Sequence, residues 1–175
     1  MTAWRGWYHV NGGTYGMWLP GDPRGWRDRG HRTHVEGDYK RPPPQGIGAE
    51  LYDRSRGLLQ QSPTRLSREQ RPIVGTALLE MLDRQHVEAI ALSVSDVHFH
   101  MLARFPSPKV KSFVGRAKKH AYFVLRDAGI ADRIWEAGCH VLPIRDRQHQ
   151  VNVFNYICAH QEKGAWLWTF RDRKE

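Results

Sequence analysis

The stretch from Val87 to Phe105 constrains the fold of this chain more than any other. It reads as two strands in direct succession. Along Val87–Asp96, Ile90, Leu92 and Val94 fall on one face and Ala91, Ser93 and Ser95 on the other, since alternate residues of a strand share a side. Along Val97–Phe105, Val97, Phe99 and Met101 form the apolar face, which leaves His98 and His100 together on the opposite one. Two helical patterns bracket the pair. From about residue 68 to 85, Ile73, Val74, Ala77, Leu78, Met81 and Leu82 recur at helical spacing. Ser67 with Gln70 resembles a capping box, although Pro72 would let the regular helix begin later. Downstream, Ser107-Pro108 offers an N-cap and a first-turn proline. The helix it opens runs to about Asp127 and stops at Gly129, with a stripe of Val110, Phe113, Val114, Ala117, Ala121, Val124 and Leu125. Lys109, Arg116, Lys118 and Lys119 lie off that stripe.

The rest of the chain extends this frame. Trp7 to Leu19 is rich in aromatic, β-branched and glycine residues and reads as an opening strand, bulged or bent at Gly12-Gly13. Residues 133–145 give one strand or a hairpin through Ile134-Trp135 and Val141-Leu142. Asp146 caps a last helix that ends near Gly164, its inward side carried by Phe154, Ile157 and Cys158. A short aromatic tail, Trp166 to Phe170, closes the chain. The order β-α-β-β-α-β plus one helix predicts an α+β fold: a ferredoxin-like split βαβ arrangement, an antiparallel sheet with two helices on one face. The extra C-terminal helix then has the uncovered face to itself. Residues 20–50 break the pattern, with Pro20, Pro23, Pro42, Pro43 and Pro44 among many Gly and Arg, and read as a long irregular loop inside a single catalytic domain, 1–175.

Charge narrows the partner. Twenty-seven Lys and Arg against eighteen Asp and Glu give a net charge of +9, which suits a polyanion, nucleic acid first. Cys139 and Cys158 form no CxxC and are too few for a disulfide scaffold, so reduced thiols in a cytoplasmic protein are expected. No apolar run approaches the ~20 residues needed to span a bilayer, and no membrane partner is expected.

The candidate chemistry follows from topology. Tyr156 and His160, four apart on the last helix, share a face. If that helix covers the bare side of the sheet, its phenol and imidazole meet His98 and His100. Three imidazoles beside a phenol could hold a divalent metal next to a nucleophile, equipment for cutting a phosphodiester through a covalent tyrosine intermediate. His-x-His and Tyr-x-x-x-His each arise readily by chance, so placement carries the weight. His149 lies on the tyrosine stripe, and Gln161 would replace His160 if the helix register differed. The other histidines, His9 included, show no comparable alignment. The basic helix, with Arg116, Lys118 and Lys119, could pair with backbone phosphates. The stretch from Trp4 to Arg32 could supply stacking platforms for unpaired bases.

Taken together, Val97-His98-Phe99-His100-Met101-Leu102, Tyr156-Ile157 with His160, and the opening Tyr8-His9-Val10 and Thr14-Tyr15-Gly16 resemble the single-tyrosine HUH transposases of insertion sequences and their REP-associated relatives. The resemblance covers about residues 5 to 168. It departs at His160, where Gln or Asn is familiar, and in the longer loop at 20–50. What it implies is an enzyme that cuts and rejoins single-stranded DNA, often near hairpins. Tyr156 would hold a 5′-phosphotyrosine, and Mg²⁺ or Mn²⁺ would be held by His98, His100 and His160. It also allows a homodimer in which the tyrosine helix of one subunit faces the histidines of the other. The sequence leaves open whether the site is assembled that way or within one chain. Two alternatives stand beside this reading: a non-catalytic, domesticated nucleic-acid-binding module, and a replication-initiation or relaxase-type HUH nuclease.

Overall fold

The histidine-bearing stretch is the central strand of a five-stranded sheet. A computed structural model of the chain describes residues 3–24, 26–27, 34–35, 44, 46–129 and 133–172. The elements in chain order are β1 Trp7–Gly13, β2 Trp26–Arg27, β3 His34–Val35, α1 Ala49–Gly57, α2 Gln70–Arg84, β4 Glu88–Val94, β5 His98–Arg104, α3 Val110–Asp127, β6 His140–Pro143, α4 Arg147–Cys158 and β7 Trp166–Thr169. The sheet order is β6-β1-β5-β4-β7, and every neighbouring pair is antiparallel. Its first four strands in space are the ferredoxin-like arrangement expected from the element order. The fifth, β7, is the segment read from sequence as an aromatic tail; its four residues pair with Ala91 to Val94 on the free edge of β4.

Two compact units divide the chain: residues 1–14 with 64–175, and residues 15–63. The second unit holds the β2–β3 ladder and α1, so the described part of the 20–50 stretch is not structureless. Much of the proline-rich run expected there lies outside the described residues.

Each face of the sheet carries its own apolar cluster. On one face α2 and α3 pack Val74, Leu78, Leu82, Val114, Ala117, Ala121 and Leu125 against Val10, Leu92, Val94, Phe99, Met101 and Ala103. On the other, α4 packs Val153 and Ile157 against Trp7, Ala91, Leu102 and Ile144. The last helix therefore covers the face left bare by the other two. Its buried residues are Gln150, Val153 and Ile157; Phe154 and Cys158, expected inward, are only half-buried.

Local signals in the sequence account for the helix ends. The Ser67 backbone N–H donates to Gln70 Oε1 (2.8 Å) while Gln70 N–H donates to Ser67 Oγ (3.3 Å), the reciprocal pair of a capping box. Asp146 Oδ1 accepts from His149 N–H at 2.7 Å and starts α4. Gly129, at φ +84°, takes the left-handed conformation that ends α3.

Strand details differ from the alternation in two places. β1 stops at Gly13 and pairs with β5 without a register shift, so the glycines are not a bulge. A Cβ at Gly12 would stand 2.7 Å from the Phe99 ring, which makes this a close approach. The bulge is instead in β4, where Ala89 and Ala91 pair with the consecutive residues Ala103 and Leu102. The extra residue, Ile90, is thereby turned from the α2/α3 face to the α4 cluster.

Candidate active site

Three elements place the site on the α4 face, all within the unit of residues 1–14 and 64–175. β5 presents His98 and His100 with Leu102, while Phe99, Met101 and Ala103 point the other way. Cross-strand, His100 lies opposite Ser93 of β4 and Asn11 of β1, short side chains that leave room for the ring. After Cys158 the last helix tightens into a 3₁₀ turn, Ala159–Lys163, which ends at Gly164 in the left-handed conformation. That turn carries His160. Its Nδ1 lies 2.9 Å from the Tyr156 carbonyl oxygen, so the pair four apart is tied together.

The rings converge. His100 and His160 centroids are 4.6 Å apart, His98 and His100 4.8 Å, and His98 and His160 5.7 Å. The Tyr156 ring stands edge-on at 4.7 Å from His160 and 5.4 Å from His100. One nitrogen from each of the three imidazoles lies within 4.8 Å of the others. Two nitrogens on opposite sides of one ion, each bound at ~2.1 Å, would be ~4.2 Å apart, so the set closes with small ring movements.

Hydrogen bonds decide which nitrogen each ring offers. A carbonyl oxygen only accepts, so His160 carries its proton on Nδ1 and keeps its lone pair on Nε2. His98 Nδ1 is 3.0 Å from Ser95 Oγ, and His100 Nδ1 is 3.0 Å from His9 Nε2. His160 and His98 are thus engaged at Nδ1 by a carbonyl and a hydroxyl, outer partners of the kind metal-bound histidines customarily have, and their Nε2 atoms are left to ligate, while the direction of the His9–His100 contact turns on the tautomer. Burial also favours the neutral form of the two strand imidazoles, as ligation requires. Burial, then the neighbouring imidazoles, lowers His100 to a pKa of about 2. Burial likewise lowers His98 below the usual histidine range and His9 to about 4. The donor set therefore fits a divalent ion.

His9 is the residue that sequence reasoning passed over. It is 7% exposed, bonded to His100, and its ring is 5.9 Å from that of Tyr156. The available signal was its position in β1, two residues from both Trp7 and Asn11 on the same face; the register with β5 was needed to use it. His149 turns its Nδ1 to the Arg145 N–H and stays with the start of α4. Gln161 is exposed, whereas His160 is buried in the cluster.

The basic residues divide differently from expectation. Lys118 is not available to a phosphate: it is buried, and its Nζ donates to the carbonyls of Glu136 (2.8 Å) and Gly138 (2.5 Å). It sits on the inner stripe of α3 because those carbonyls satisfy it there, and burial pushes its ammonium below the usual lysine range. Arg116 is exposed but bonded to Gln85 and Ser112; Lys119 is exposed above the Phe123 ring. With exposed Lys109, Lys111 and Arg126 they line α3, on the sheet face opposite the imidazoles. Of the aromatics proposed as stacking platforms, Trp7 is buried in the α4-side core, while Trp18 is 46% exposed and lies under Arg24. Cys139 and Cys158 are free, half-buried thiols, each raised by burial. Among the described residues no helix is long and apolar enough to cross a membrane.

Comparison with solved structures finds the same architecture in a REP-associated tyrosine transposase bound to a REP hairpin, with a TM-score of 0.52 over 94% of this chain and 72% of that one. The two chains share this α+β architecture. At 13% identity the likeness is one of fold alone. No family model matches the chain, and no curated protein matches it.

Proposed function

We propose that this protein cuts and rejoins single-stranded DNA through a covalent tyrosine intermediate. One observation carries the reading: a half-exposed phenol, Tyr156, stands beside three gathered imidazoles within one chain, in a fold shared with a tyrosine transposase.

His98, His100 and His160 would hold a divalent ion, Mg²⁺ or Mn²⁺, through their Nε2 atoms. Such an ion, when bound, would polarise the scissile phosphate and offset the charge that develops on it. Tyr156 Oη attacks phosphorus, the bond from phosphorus to the 3′ oxygen breaks, and the proton lost by the phenol to solvent is made good by one taken up on the departing 3′ oxygen. The products are a 5′-phosphotyrosine and a strand ending in a 3′-hydroxyl. In the reverse sense a 3′-hydroxyl attacks the phosphotyrosine, and the strand is joined without ATP because the phosphodiester energy is retained. With an exposure of 48%, the Tyr156 ring is open to a phosphate arriving from solvent, while His9, His100 and His160 hold the inner side of the site.

The hairpin bound by the structural neighbour makes a hairpin-containing strand the first substrate to try. The exposed row Lys109, Lys111, Arg116 and Lys119 would grip phosphates remote from the scissile one, because it lies across the sheet from Tyr156. Its contribution should be sequence-independent and weaken steeply with salt.

The test is a labelled single-stranded oligonucleotide with a hairpin, incubated with the protein and Mn²⁺ and resolved on a denaturing gel. A covalent adduct is expected from the native chain and none from Tyr156→Phe, with DNA binding unchanged. An adduct from the Phe variant would move the nucleophile elsewhere. Binding without any adduct under all metals would favour the non-catalytic module.

A further inference from the structure

His9 is neither the nucleophile nor a ligand in the reading above, yet it is among the most buried polar side chains on the α4 face. β1 and β5 pair so that His9 faces Leu102 and Asn11 faces His100, which sets His9 diagonal to His100 on the same side of the sheet. The two rings are tilted by 30° with centroids 5.2 Å apart, and Nε2 of His9 meets Nδ1 of His100 at 3.0 Å. Between two neutral imidazoles that contact admits one proton, carried by one of the two facing nitrogens. If His9 donates, His100 must carry its own proton on Nε2, and its lone pair is spent on His9. If His100 donates, its lone pair is on Nε2, toward His98 and His160.

The other two rings supply the pattern from which we argue. His160 must donate from Nδ1, because its partner is a carbonyl. His98 turns Nδ1 to Ser95 Oγ, a hydroxyl that also accepts from the Val97 and His98 N–H groups. Each ring is thus held from its Nδ1 side, by backbone, by hydroxyl and by imidazole in turn. A buried histidine in the third position does what a carboxylate or carbonyl customarily does behind a metal-bound histidine.

We propose that His9 is a positioning residue: its Nε2 accepts the Nδ1 proton of His100 and so keeps the His100 lone pair on Nε2, aimed into the imidazole cluster. This rests on the metal-site reading given above. A purely structural role, two buried imidazoles satisfying each other, would not require that direction of donation.

The experiment compares the native chain with His9→Leu, which removes the acceptor, and His9→Gln, whose Oε1 can restore it. Mn²⁺ affinity is read from the free-ion signal in electron paramagnetic resonance titrations. The His100 tautomer is read in the metal-free protein by long-range ¹H–¹⁵N NMR. The expected result is a loss of ~10–100-fold in Mn²⁺ affinity for His9→Leu, largely recovered in His9→Gln. The His100 proton should sit on Nδ1 in the native chain and in His9→Gln, and move toward Nε2 in His9→Leu. A His100 proton on Nε2 in the native chain would overturn the proposal, as would an unchanged affinity in His9→Leu. If the native chain binds no Mn²⁺, the metal-site reading fails and the tautomer alone decides the role of His9. If His9→Leu does not fold, the native tautomer and the His9→Gln affinity decide it.

Discussion

Gly75 of α2 and Trp166 of β7 touch so closely that one methyl group should separate them measurably. A Cβ at Gly75 would fall 1.9 Å from Trp166 Cζ3, 2.3 Å from Cε3 and 2.7 Å from Cη2. Carbon atoms in contact need roughly 3.5–4.0 Å, so the indole must retreat by more than an ångström. It has little freedom to do so, because β7 is tied to β4 through Val94, Ser93, Leu92 and Ala91, and Ala165 is buried just before it. Overpacking of this kind costs about 1–3 kcal/mol, and the severity of the overlap argues for the upper end. Against it stands the helix preference of Ala over Gly, about 0.5–1 kcal/mol. Gly75→Ala should therefore destabilise by ~2 kcal/mol net, a drop of ~4–8 °C in Tm for a chain of this size. In a Trp166→Ala background the overlap is gone, and the same substitution should stabilise by ~0.5–1 kcal/mol. The coupling between the two sites is then ~3 kcal/mol. Urea denaturation followed by circular dichroism, with the slope held constant, measures all four corners of the cycle. Equal effects of Gly75→Ala in the two backgrounds, or a stabilised single variant, would refute the packing of β7 against α2.

Two further outcomes follow. Because burial keeps His9 and His100 neutral, at pKa values of about 4 and about 2 in the folded chain against ~6.5 unfolded, the unfolded state binds the extra protons. Their contribution is fully present above pH ~6.5 and is lost as pH falls toward 4 and below; for His9 alone it is on the order of 3 kcal/mol. Urea midpoints at pH 7 and pH 4.5 check this, and equal midpoints would show that the rings are solvated. Asp146→Ala removes the acceptor for the His149 N–H and should cost ~1 kcal/mol. Faster amide exchange confined to the first turn of α4 is its signature, and an unchanged exchange pattern would deny Asp146 the cap.

How far the sequence alone reached depends on the range of the physics involved. Local rules settled what lies within a few residues: the period of two that turns His98 and His100 away from Phe99 and Met101, the reciprocal Ser67–Gln70 cap, and Asp146 at the head of α4. Those elements in that order were enough for the ferredoxin-like sheet and for α4 on its bare face, hence for the meeting of Tyr156 and His160 with the histidine pair. Ile90 escaped, because a bulge depends on how two strands pair and leaves no mark in one strand's alternation. β7 escaped as well, since four residues gain strand character only from the open edge of β4. Lys118 looked solvated until the carbonyls of Glu136 and Gly138, far along the chain, gave its ammonium a place inside. His9 is the sharpest case: in isolation it is one histidine in an aromatic strand, and only the β1–β5 register sets it behind His100. Local periodicity is written into neighbouring residues, whereas hydrogen-bond partners from distant strands exist only once the chain has closed on itself.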